Sequence, residues 1–187
     1  ARAVAKIAEF QVPTDPKTSF CVSNFHAGND AGIHAIVPEA TIKFNLRSDS
    51  QEVLEELYQR ILNALQEACD EETARWGKDT ITVTHKRYCN VPAGTQDVHS
   101  PIVEATYAIS SYLGYEPIFF HGGSTNCNMA IGKNIPAVCL GMGSLDCGAH
   151  TLQEFFETTD AHKGVQQALL LALLLAGVDG ATVSILA

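Results

Sequence analysis

From residue 40 to residue 47 the chain alternates strictly. Ala40, Ile42, Phe44 and Leu46 are apolar, and Thr41, Lys43, Asn45 and Arg47 are polar. A period of two places these sets on opposite faces of a pleated backbone, so the segment is predicted as a half-buried strand. The period then lengthens. Leu54, Leu57, Ile61, Leu65 and Ala68 recur at three- and four-residue spacing, which predicts an amphipathic helix running to about Trp76. Ser48 with Gln51 three residues on resembles a capping box at its start, and Gly77 suits its end. Residues 2–11 predict a helix that stops before Pro13 and Pro16. Residues 18–26 and 80–88 predict one strand each, and 28–38, with Gly28, Asn29, Asp30 and Gly32, a turn-rich connection. The resulting order, α-β-β-α-β, is that of a ferredoxin-like β-α-β-β-α-β sandwich whose first strand is missing. Such an open sheet has an edge available to a second subunit.

Residues 90–98 read as a linker, and beyond them the pattern changes. Ser100 and Pro101 fit the N-cap and first position of a helix to about Leu113, closed by Gly114. A strand at 117–120, a loop at 121–126, a short helix from 127, a strand at 136–140, a loop at 141–150 and a helix at 161–176 follow. Alternating strands and helices predict an α/β segment with a largely parallel sheet. The expected organisation is therefore an α+β domain over 1–90 and an α/β segment over 91–187. The apolar run at 168–178 has 11 residues, too few to span a bilayer, and is predicted as a buried closing helix.

Composition narrows the function classes. With 46% apolar and 18% charged residues, the 187-residue chain has a soluble globular balance. A net charge of -9 with no basic stripe argues against a nucleic-acid partner. The six cysteines, at 21, 69, 89, 127, 139 and 147, show neither a C-x-x-C pair nor zinc-finger spacing. They predict reduced thiols and a cytoplasmic location. The chain opens on ARAVAKIAEF, which reads as the middle of a helix without a signal peptide, so a fragment or processed chain is expected.

The candidate chemistry is concentrated between His121 and Glu154. Gly122, Gly123, Ser124 and Thr125 form a loop able to present backbone N–H groups, since glycine permits close approach and positive φ. A second glycine-rich loop ends at His150. On residue type alone, His150 is more often a hydrogen-bonded surface or supporting residue than a metal ligand. No H-E-x-x-H pair accompanies it. Cys147 and His150 lack the third group that a thiol hydrolase needs. Arg47 suits a bidentate bond to a substrate carboxylate, or a surface ion pair with Asp49 or Glu39. His34 reads equally as a hydrogen-bond donor to substrate and as a turn residue. His26 and His85 read as strand residues, and His99, His121 and His162 as surface or helix residues.

Several of these strings together resemble one family. They are the GGST-x-x-N loop, the Ile135–Val138 strand, Gly148-Ala149-His150-Thr151 with Glu154, and AIVPEATIKFNLRSDS before a long helix. The family is that of the zinc exopeptidases and deacylases, which includes aminoacylase, acetylornithine deacetylase, carboxypeptidase G and tripeptidases. The resemblance implies a lid or dimerisation domain over 1–90 and the C-terminal part of a catalytic domain over 91–187. It implies a metal-dependent hydrolase that cleaves an amide bond in a small peptide or N-acyl amino acid with a free carboxylate, and a homodimer formed through the lid. It further implies two zinc ions in the intact enzyme, with His150 as the last ligand. Arg47, His34, Gly123, Ser124, Thr125 and Asn128 are implied as substrate contacts. The other ligands and the general base are implied to precede the lid, so no catalytic residue is expected in this chain, and no activity in isolation. The chain departs from the family pattern at His34, where Asn is usual, at Val37, where Pro is usual, and at Asn126, where Asp is usual. These departures leave open a non-catalytic dimerisation or binding module derived from the family.

Overall fold

A computed structural model describes residues 1–28, 32–77, 81–120 and 122–186. Asn29 and Asp30 of the predicted turn, Thr80 of the predicted strand and His121 lie outside the described residues. The chain has a mixed α/β fold with small antiparallel sheets. It divides into two compact units, one of 1–94 with 121–124 and one of 95–120 with 125–187.

The first unit is built from α1 (Arg2–Ala8), β1 (Thr18–Ala27), β2 (Ala40–Ser48) and α2 (Gln51–Trp76). The two strands pair antiparallel from Thr18↔Ser48 to Ala27↔Ala40, with a bulge between Val22 and Asn24. The alternation in β2 does what a period of two requires: Phe44 and Leu46 turn to the core with Phe20, against Ile7 of α1 and Ile61 and Ala64 of α2. Ile7 and Leu57 are fully buried, and each such side chain contributes roughly 1.5–3 kcal/mol by leaving water. Helix α2 starts two residues later than the capping pattern predicts. Ser50 is the N-cap, its hydroxyl accepting from Val53 N at 3.4 Å. Ser48 is still the last strand residue, its Oγ sharing a hydrogen bond with Thr18 Oγ1 and accepting from Ser50 N. Gly77 closes α2 in the left-handed conformation, φ 70°.

The strand predicted at 80–88 is not formed by the described residues 81–88. Side chains of α2 hold this segment instead. Arg87 Nη2 donates to both Glu55 carboxylate oxygens, at 2.8 and 2.7 Å, and its guanidinium lies 3.7 Å from the Tyr58 ring centroid. His85 meets the same ring edge-on at 6.1 Å, so it is a helix-facing residue and not a strand residue. Charge-assisted and aromatic contacts fix the segment without a backbone ladder.

The second unit holds α3 (Pro101–Tyr112), α4 (Cys127–Ile131), β3 (Asp146–Cys147), β4 (Phe155–Phe156) and α5 (Ala161–Ala176). Ser100 and Pro101 begin α3 as their types predict. Ile102, Val103 and Ile109 of α3 pack on Leu171 of α5, with Val138, Leu140 and Leu174 around them. A buried polar link crosses this core: Gln167 Nε2 donates to Ser110 Oγ, which donates to Thr106 O at 2.9 Å. The strands predicted at 117–120 and 136–140 form no ladder, and the largely parallel sheet is absent among the described residues. Val138 and Leu140 satisfy their apolar side chains against the helices, but a parallel strand also needs a neighbour with free backbone groups. The only ladder in this unit's described residues is β3–β4, which is antiparallel. The prediction of a buried closing helix also needs correction. Gln167 and Leu171 are buried, but Val165, Leu169 and Leu173 are 71, 58 and 42% exposed. No described helix is long and apolar enough to cross a membrane.

Candidate functional site

In the first unit, β2 carries Arg47 to the end of the ladder, opposite Ser19. Arg47 is half-buried, and its Nε donates to Asn45 Oδ1 at 3.0 Å. Asn45 lies two residues back on the same face of the strand and braces the guanidinium. The ion pair weighed for Asp49 does not form. Asp49 Oδ1 accepts from Gly122 N at 3.1 Å, so the glycine loop is brought to the end of β2. Gly122 has φ 75°, and Gly123 and Ser124 beside it are exposed. His34 lies on an exposed bend before β2, next to the fully exposed Ile33 and Ile36. Among the described residues, no hydrogen bond or ion pair joins His34 to Arg47.

In the second unit, Thr125 and Asn128 hold each other. Thr125 N donates to Asn128 Oδ1 at 3.1 Å, and Asn128 N donates to Thr125 O at 3.2 Å. Thr125 Oγ1 also accepts from Cys127 N at 3.3 Å. Cys127 N and Asn128 N are among the donors that a helix start leaves unpaired, so these bonds set the first turn of α4. The Asn128 side chain is thus engaged with the loop backbone.

His150 sits in the loop of the β3–β4 hairpin, exposed and with φ 67°. Its backbone N donates to Glu154 Oε2 at 3.1 Å. Thr151 Oγ1 donates to Gly148 O at 2.7 Å, and Gly148 has φ 71°. A Cβ at Gly148 would lie 2.9 Å from Gln153 O, so glycine is required there on two counts. The neighbouring glycine loop is fixed separately. Tyr115 Oη donates to Gly143 O, and Gly143 meets Gly164 at the start of α5, backbone to backbone.

Zinc binding needs about four converging ligands in structural sites, or three with water in catalytic ones. Among the described residues no three His, Cys, Asp or Glu groups gather to hold a metal ion. These residues alone do not fit a zinc ion.

For two residues named in the sequence the pattern does not disclose the supporting role. Glu154 was visible only as part of a motif, and its bond to His150 N gives it a physical role. Asp49 has its partner 73 residues away, and no local pattern signals such a pairing. A comparison with curated proteins finds no match. Residues 1–73, which hold α1, β1, β2 and most of α2, match the family model of the peptidase dimerisation domain, a ferredoxin-like lid.

Proposed function

We propose that the protein is part of a metal-dependent peptidase or amidohydrolase acting on a small peptide or N-acyl amino acid with a free carboxylate. The observation that carries this reading is the dimerisation-domain match over residues 1–73. Residues 1–90 then serve as lid and dimerisation domain, and 91–187 as the C-terminal part of the catalytic domain. Arg47 receives the substrate carboxylate. With Nε held by Asn45, its two terminal nitrogens remain to make paired N–H bonds. Gly123 and Ser124 offer N–H groups to the scissile carbonyl, His34 donates a further hydrogen bond, and Thr125 and Asn128 shape the loop's other end. His150 is the metal ligand, with zinc as the metal; two ions, the remaining ligands and the general base belong to the intact enzyme. The working form is a homodimer joined through the first unit, in the cytoplasm, where free thiols persist.

N-acetylalanine and N-methylacetamide, which lacks the carboxylate, separate the substrate reading from others in an NMR titration. N-acetylalanine is expected to bind more tightly, and Arg47→Ala to weaken it about tenfold or more, as loss of a charge-assisted pair does. Equal affinity for the two probes would sink the reading. Light scattering that shows only monomer would sink the homodimer. A second reading, a non-catalytic dimerisation or binding module, is favoured by the confinement of the family match to 1–73. It predicts dimers with no affinity for either probe.

A further inference from the structure

We infer that Asp49 is a positioning residue: its carboxylate clamps the Gly122–Ser124 segment to the end of strand β2, so that the arginine and the glycine loop are presented together. The inference rests on the reading of Arg47, Gly123 and Ser124 as substrate contacts.

Three observations converge on this clamp. Gly122 N donates to Asp49 Oδ1 at 3.1 Å, across 73 residues of sequence, and Gly122–Ser124 groups with the first unit despite flanking segments that belong to the second. Asp49 is itself held, because its backbone N donates to Lys17 O at 3.1 Å beside the Thr18–Ser48 end of the ladder. Gly122 is also shaped for this place. Its φ is 75°, and a Cβ there would fall 2.6 Å from Lys17 Cδ and 2.9 Å from Lys17 Cε. The positive φ favours glycine there, and any larger residue would also have to push the Lys17 side chain aside. Asp49 follows Arg47 by two residues, so one stretch of backbone sets the guanidinium and the anchor of the loop. Substrate recognition with fixed geometry needs this kind of support, since a loop that wanders loses the orientation its N–H groups supply.

The test pairs Asp49→Ala with Asp49→Asn, which keeps an oxygen acceptor, and with Gly122→Ala. Amide hydrogen exchange at Gly122 is read by NMR on the full chain. Exchange at residue 122 is expected to rise at least tenfold in Asp49→Ala and Gly122→Ala and to stay near wild type in Asp49→Asn, while Thr125 and Asn128 are unaffected. Unchanged exchange at Gly122 in Asp49→Ala overturns the clamp, as does an equal rise in Asp49→Asn. Thermal unfolding of the Asp49→Ala and Gly122→Ala variants separates the effect from general misfolding. N-acetylalanine affinity then tests the positioning role. A severalfold loss in Asp49→Ala with rescue by Asn supports it, and unchanged affinity in a loosened loop overturns it. If wild type binds no N-acetylalanine, the substrate reading fails and with it the positioning role, while the exchange data still decide whether the clamp exists.

Discussion

His150 has φ 67°, a conformation that residues with side chains adopt at a cost. Glu154 offsets that cost by accepting the His150 backbone N–H, and Gly148 removes a clash with Gln153 O. The histidine is therefore held by its backbone, and its ring is left to point as the loop directs. Two substitutions separate these contributions. Glu154→Ala is expected to lower stability by about 1 kcal/mol through loss of one charge-assisted bond, and Glu154→Gln by less. Gly148→Ala is expected to cost roughly 1–3 kcal/mol, because φ is positive and the Cβ has no room. Urea midpoints measure all three, and a Gly148→Ala variant as stable as wild type would contradict the strained hairpin.

At the level of elements, the helices were legible because their determinants are local. The three- and four-residue spacing, Gly77 as the left-handed stop and Ser100-Pro101 as the start all lie within the helix they define. Strand β2 was legible because its alternation was complete. The strands predicted at 117–120 and 136–140 were not formed, because a ladder depends on a partner whose position no local pattern specifies. The segment after α2 shows the same limit. Its residues alternate, yet Arg87 and His85 bind side chains of α2. This attachment responds to pH. The Arg87 hydrogen bonds, followed by that of Gln59, hold the Glu55 carboxyl below its ordinary pKa. A carboxyl lowered in the folded state contributes stability above its unfolded pKa, and that contribution is lost as pH falls through the folded value. Tyr58 ring signals are therefore expected to shift toward unstructured values only as pH falls below the ordinary glutamate pKa of about 4.3, and Glu55→Gln to show the shifted signals at neutral pH with no acid transition. Unmoved Tyr58 signals down to pH 3 would remove Arg87 as the attachment.

At the scale of the whole molecule, the outer stripe of α5 leaves Val165, Leu169 and Leu173 exposed. The metal question belongs at this scale, because a zinc site is completed by residues from several elements. A ligand that binds only the folded state stabilises it by RT ln(1 + [L]/Kd), about 2.7 kcal/mol at a hundredfold excess over Kd. For a chain of this size that would raise Tm by roughly 5 °C or more. Among the described residues no group of His, Cys, Asp or Glu gives zinc such a hold, so neither excess zinc nor EDTA is expected to move the Tm of this chain. Calorimetry with each addition, beside a zinc assay of the purified protein, decides it. Stoichiometric zinc, or a drop of several degrees with EDTA, would show that the ligands needed to complete the site lie within these 187 residues after all.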